Sequence, residues 1–363
     1  MGETMKFQVM PNPNQMRRKN RVTRLPHPIK QGFSLVELMV SMAVLSVLML
    51  IMTQVIGQVQ ETWTRSRSKI SQFREARVAF ELITKNLSQA TLNPYWGYGD
   101  DATEFKGIAD APSRYVRLSD LRFVTGSSGS ILSGTDKPGH CAFFVAPVGY
   151  NINDNYDGLK SLLATMGYFV SSVSDATTIP PFLAGRVEVA TRFRLMEYRQ
   201  PAEKNPIYAV QAGVGPSAWL PNWLSDARDD GSPYLNTIAD NVIALILSPR
   251  LAPDPSVTAG TETSIAPNYA YDSTDATTPT TLNQLPPLIQ VTMVAIDEPS
   301  AKRLTNYSSA SMPDLLQRAG ATFTSASNYE ADLEDLKTYL NSERVQYRVF
   351  TTTVSIRTAK WSS

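Results

Sequence analysis

Few residues in this chain are equipped for catalysis, and those few are poorly arranged for it. His27 and His140 are the only two histidines in 363 residues. His27 lies in a basic N-terminal stretch, so a Ser-His-Asp or Cys-His relay would rest on His140 alone. The sole cysteine, Cys141, follows His140 directly, and neighbouring side chains of a strand leave on opposite faces. A single cysteine also excludes an intrachain disulfide and a Cys-based zinc centre. The run "GSSGSILSG" at 126–134 lacks the lysine and following helix of a phosphate loop and reads as a hairpin connection. Asn153, Asn155 and Asp157, followed by Gly158, match the opening of a calcium loop, whose alternating oxygens wrap a hard cation. Ala164 stands where such a loop needs a bidentate glutamate. A Gly-ended turn on Asx geometry is therefore the favoured reading and calcium the alternative. No other cofactor is expected, and the chain reads as a non-enzyme.

The residue with the strangest setting is Glu37. It sits five residues into Phe33–Met52, twenty residues with no other charge, the length a helix needs to cross a bilayer core. An ionised acid in hydrocarbon costs on the order of 3 kcal/mol at the helix centre by insertion scales, so it is read as functional and partnered. No lysine or arginine lies within the span. If the chain is cut after Gly32, however, Phe33 becomes an amino terminus four residues from Glu37 on the same helix face. The acid then has a cation, in its own chain or in a packed neighbour.

Residues 1–32 carry seven basic side chains against Glu3, a net +6 (7 − 1), so the remainder of this +1 chain is −5. Such a body does not suit nucleic acid. The basic head predicts a cytoplasmic N-terminus and a translocated remainder. A cleaved secretory signal competes, but the apolar run is longer than its usual core and only the poor Val55-Ile56-Gly57 follows it as a cleavage site. Arg17-Arg18 lies too far upstream for a twin-arginine signal.

Lys30-Gln31-Gly32-Phe33-Ser34-Leu35-Val36-Glu37 resembles the class III signal of type IV prepilins and type II secretion pseudopilins. The resemblance implies that prepilin peptidase cuts after Gly32, that the new N-terminal Phe33 is methylated, and that Glu37 serves assembly with other pilins through the N-terminal helix. It further implies an inner-membrane, single-pass protein with a periplasmic head, later extracted into a filament or its tip. Thirty-two residues make a long leader, and Met16 offers an internal start. The order of elements in the body resembles J-type minor pseudopilins, PilW-type minor pilins and the proteins called Verru_Chthon cassette protein C. The alternative is a membrane-anchored extracytoplasmic binding protein. Which assembly machine is served, and what the head binds, stay open.

The elements that must hold this signal follow from periodicity. Beyond a membrane helix at 33–57, the residues Val59, Trp63, Ile70, Phe73, Phe80, Ile83 and Leu87 recur at helical steps, predicting an amphipathic helix over 58–93 that stops before Pro94. Residues 94–363 predict a β-rich head. Candidate strands lie at 115–125, 141–148, 167–173, 191–199, 241–249, 288–296 and 347–357, with helices at 311–319 and 329–341. Seven prolines between 249 and 287 predict a long surface loop, and 200–234 a packed irregular segment. The fold class is α+β: a long N-terminal helix, half membrane and half amphipathic, packed on a mainly antiparallel pilin-like head.

Overall fold

No proline occurs between Pro28 and Pro94, and one helix fills most of the interval: α1, Leu35–Ser88. The computed structural model describes residues 34–99, 114–134, 136–153, 155, 158, 162–174, 179–183, 185–186, 189, 191–208, 224–225, 227, 232–252, 265–305 and 322–361. The chain divides into two compact units, one ending at Thr62 and one beginning at Trp63.

In the first unit the apolar side chains are exposed all round the helix, and Leu35–Trp63 is long and apolar enough to cross a membrane. Three of its hydroxyl side chains turn back on the helix. The hydroxyls of Ser41, Ser46 and Thr53 donate to the carbonyls of Leu38, Ala43 and Met49 at 2.8–2.9 Å. Each is thus satisfied within the segment, as lipid requires.

The second unit is built on antiparallel ladders. Its strands are β1 (Tyr95–Gly99), β2 (Arg114–Leu118), β3 (Val124–Ser127), β4 (His140–Ala146), β5 (Ala164–Ser174), β6 (Thr191–Arg199), β7 (Leu235–Asp240), β8 (Val242–Arg250), β9 (Tyr271–Asp272), β10 (Leu288–Ile296) and β11 (Tyr347–Ser355). Later in the chain stand the helices α2 (Glu298–Thr305) and α3 (Tyr329–Ser342). A six-stranded sheet has the order β7-β6-β5-β4-β3-β9, a three-stranded sheet β11-β10-β8, and β1 pairs with β2. The fold is α+β, a long N-terminal helix followed by antiparallel sheets.

Burial on both faces explains the near-continuous apolar runs of β8 and β10. Leu245, Leu247, Ile289, Val291 and Met293 join Phe143, Phe144 and Phe169 of the six-stranded sheet in one core, together with Ala76, Ala79, Phe80, Ile83 and Leu87 of α1. On the opposite face Ile243, Ile246, Val294 and Ile296 meet Tyr329, Leu333, Leu336 and Leu340 of α3. The leucines of α3 recur at steps of three and four, so the stripe and its burial agree.

The structure departs from several sequence expectations. Among the described side chains of α1, Phe73 is partly buried against the core and Ala76 is the first fully buried, whereas Val59 and Trp63 are exposed, so apolar spacing at those two positions does not mark a core contact. Helix α1 stops at Ser88, short of Pro94, because Gln89 and Ala90 donate to the carbonyls of Asn86 and Leu87 in a tighter turn and Thr91 N then donates to Val145 O at 2.8 Å. The expected strand 115–125 splits into β2 and β3, with Asn93 accepting from Asp120 N and Leu121 N at the break. Residues 265–287 remain turn-rich, yet they are no free excursion: Ala266, Tyr269, Tyr271 and Leu285 are buried and β9 pairs with β3. The expected helix 311–319 lies outside the described residues.

Asn241 forms the corner at which the chain leaves one sheet for the other. Its φ is +59°, its N donates to Phe193 O at 2.6 Å, and its carbonyl accepts from Ile296 N at 2.9 Å. Its Nδ2 donates to Glu298 Oε2 at 2.8 Å, while Arg192 grips both oxygens of that carboxylate at 2.7 and 2.8 Å. Asn241→Ala combines left-handed strain, about 1–2 kcal/mol, with a lost bond to a charged acceptor, about 1.5–3 kcal/mol. A fall of about 3 kcal/mol in urea unfolding is expected. Asn241→Gly should regain only the strain part; equal losses for the two variants would refute this account of the corner.

Candidate functional site

The N-terminal turn of α1 is the site the sequence points to. Gly32 and Phe33 lie outside the described residues. Ser34 is the first described residue, and its carbonyl accepts the first helical bond, from Leu38 N at 3.1 Å. Ser34 is thus the N-cap and Glu37 the third helical residue, the Ser-x-x-Glu spacing of a capping box. The spacing was there to be read in the sequence, where the apolar run drew attention to Glu37 as a residue inside a span. In the structure it is the acid of the first turn, where the helix dipole favours a negative charge.

Glu37 shares a shallow surface depression with Ser34, Val40, Ser41, Val44 and Leu48. All come from one face of α1, so besides the Glu37 carboxylate only the helix's own serines offer polar groups there. Its chemistry is that of an exposed carboxylate on an apolar face. Such a group suits pairing with a cation brought by another chain end or helix.

The other candidates resolve differently. His140 is 3% exposed and engages both ring nitrogens: Leu247 N donates to Nδ1 at 3.2 Å, which leaves Nε2 to donate to Phe323 O at 3.1 Å. Burial drives its pKa down to about 4, although the bond to Phe323 acts in the opposite direction. Cys141 is fully buried, and burial pushes its thiol up to about 12. A neutral, doubly bonded imidazole beside a protonated thiol cannot relay protons to a nucleophile. The pair is structural.

At the acidic loop, Asn153 Oδ1 accepts from Asn155 N at 3.0 Å, an Asx turn. Glu203, arriving from the end of β6, accepts from Ile152 N at 2.8 Å and Asn153 N at 3.2 Å through one carboxylate oxygen. These bonds from Ile152, first among the causes, hold its carboxyl below the usual range. Sequence reading missed Glu203, which stands fifty residues away. Asp157 lies outside the described residues. Among the described residues no three His, Cys, Asp or Glu side chains gather as a metal site.

No curated protein and no solved structure matches the chain. Residues 28–53 match the prokaryotic N-terminal methylation motif, a window that contains Gly32, Phe33 and Glu37 and ends within the apolar turns of α1. The chain therefore carries, at the head of its long helix, a class III signal of the type IV prepilin kind.

Proposed function

We propose that this chain is a non-enzymatic minor pilin or pseudopilin subunit. Prepilin peptidase removes the basic leader 1–32 after Gly32, Phe33 is N-methylated, and the mature helix is drawn from the inner membrane into a type IV pilus or type II secretion pseudopilus. The observation that carries the reading is the methylation motif at 28–53 joined to an acid in the first turn of an apolar helix. The exposed apolar surface of Leu35–Thr62 supports it, since a bare helix of this kind is stable only in lipid or against other such helices. In this arrangement the head of residues 94–363 is periplasmic and the leader cytoplasmic.

Processing tests the proposal directly. Wild-type protein from membranes should begin at methylated Phe33 by mass spectrometry. Gly32→Val should accumulate a precursor larger by the leader, because it alters the residue after which the signal is cut. An intact Gly32-Phe33 bond in wild-type membrane protein would sink the reading.

A further inference from the structure

The three-stranded sheet has two edges, and the fold treats them differently. At β8 the edge is covered, with Leu247 N donating to His140 Nδ1 at 3.2 Å. At β11 it is open. Asp297 N donates to Gln346 O at 3.0 Å and Ile356 N to Pro287 O at 3.1 Å, and these two pairs continue the β10–β11 register by one step at either end. Hydrogen-bonded pairs of an antiparallel ladder recur at every second residue, so the even-numbered residues of β11 turn their N–H and C=O groups to β10. Those of Tyr347, Val349, Thr351, Thr353 and Ser355 point away from the sheet, and among the described residues none of them meets a partner. Thr351, Thr352, Thr353 and Ser355 are exposed.

Natural sheets blunt such an edge with a proline, a bulge or a charge in mid-strand. The pairing of β11 with β10 runs without a bulge, and residues 349–356 hold no proline, glycine or charge. The strand is held on both faces: Phe350 packs on Phe80 of α1 with ring centres 5.7 Å apart, while Tyr347 and Val349 pack against the cluster that contains α3. Its ends are basic. Arg348, Arg357 and Lys360 are exposed, and among the described residues no carboxylate pairs with any of them.

We propose that β11 takes up an extended acidic segment of another protein as a fourth strand of this sheet. Backbone pairing along the outward row supplies the hold, and the cations at its ends select for carboxylates. A strand laid along the five outward residues makes about ten backbone hydrogen bonds, two to each residue. Charge chooses the occupant. A second copy of β11, laid alongside in either direction, would bring basic end to basic end, and like charges facing across a strand pair destabilise it. A carboxylate at each end of the incoming strand is attracted instead. The body as a whole does not gather acids, since the chain beyond residue 32 is −5, so the selection is local to this edge. The inference stands apart from the assembly reading, since it concerns the head alone.

The test is fluorescence anisotropy of a labelled peptide, Glu-Glu-Thr-Val-Thr-Val-Thr-Glu-Glu, titrated with the full-length chain in a zwitterionic detergent. The peptide should bind saturably, and more weakly as salt is raised. A twin with lysine in place of each glutamate should bind at least tenfold more weakly. The acidic peptide methylated on its three central amides, which keeps every charge but loses backbone donors, should lose binding to a similar degree. Replacing Arg348 and Arg357 together by alanine should remove most of the preference for the acidic peptide over its twin. Thr353→Pro should abolish binding of both, because it deletes an outward N–H; the β10 ladder does not use that group, so melting should change little. The methylated peptide tests the same point on the unaltered protein. Absence of saturable binding overturns the proposal, as does equal binding of the methylated peptide or of the lysine twin. A disulfide-linked dimer of Thr351→Cys in membranes, where the native Cys141 is fully buried, would assign the edge to a second copy and likewise overturn it.

Discussion

His140→Ala is expected to destabilise the head by about 3 kcal/mol or more, among the largest effects of any single side chain in it. The imidazole ties three segments that are distant in sequence: β4, the Leu247 amide of β8 and the Phe323 carbonyl before α3. Removing it leaves a buried amide and a buried carbonyl unsatisfied, about 1–3 kcal/mol each, and a cavity against Tyr269, whose ring centre lies 4.5 Å away. Acid should imitate the mutation. A histidine held at about 4 in the fold and about 6.5 when unfolded binds fewer protons folded than unfolded in that window. Its contribution is therefore complete above pH 6.5 and fades as the pH falls towards 4, by up to about 3 kcal/mol at 1.36 kcal/mol per unit. Urea unfolding followed by near-ultraviolet dichroism should show wild type losing stability faster than His140→Ala across this interval. Parallel pH profiles would show that the carboxylates alone set the acid response.

How far this head could be read beforehand varied with the kind of residue. Strands β6 and β10 were legible to the residue, because Thr191–Arg199 and Leu288–Ile296 carry their pattern unbroken between turn signals. The stripe of α3 was legible for the same reason. What escaped is held by partners remote in sequence. Strand β1 reads "YWGYG", two glycines in five residues, and exists because its register with β2 is supplied from 114–118. Strand β7 has exposed Asn236 and Thr237 at its centre and is recruited by pairing with β6. Helix α2 is too short for a periodic signal, and its first-turn Glu298 is fixed by Arg192 and Asn241 from other elements.

The functional site showed the opposite balance. Gly32, Phe33 and Glu37 are a local motif and could be proposed from eight residues. The role of His140 could not, since the groups that occupy its nitrogens come from 107 and 183 residues away. The amphipathic pattern misled at Val59 and Trp63 because spacing reports which residues share a face, while burial depends on what lies opposite. The long apolar surface before Thr62 is exposed in the structure, and it gains a partner only in lipid or in an assembly.

Glu37→Leu should separate membrane insertion from assembly. Replacing the acid by leucine improves transfer of the segment, by less than the roughly 3 kcal/mol that insertion scales give at a helix centre because Glu37 stands in the first turn, so the variant should reach the membrane at least as well as wild type. Loss of the first-turn charge and the Ser34-x-x-Glu37 spacing weakens the helix start by no more than about 1 kcal/mol, too little to unfold a segment that lipid holds helical. Cleavage after Gly32 should continue, because the residue lies five positions beyond the bond and the basic stretch before it is unchanged. Assembly should fail. In a filament the amine of Phe33 is drawn among apolar helices, and an ionic group left there without its partner costs several kcal/mol after relaxation, enough to reduce incorporation by two or more orders of magnitude. Glu37→Gln, close in shape but neutral, should fail nearly as badly, whereas Glu37→Asp should retain part of the incorporation. The measurement compares processed protein in membranes with protein in sheared filaments or in pulldowns of sibling pilins. A subunit predicts normal membrane levels and an empty filament fraction. An anchored binding protein, whose helix packs against no amine, predicts equal behaviour of all four chains, and that result would remove the assembly role of Glu37.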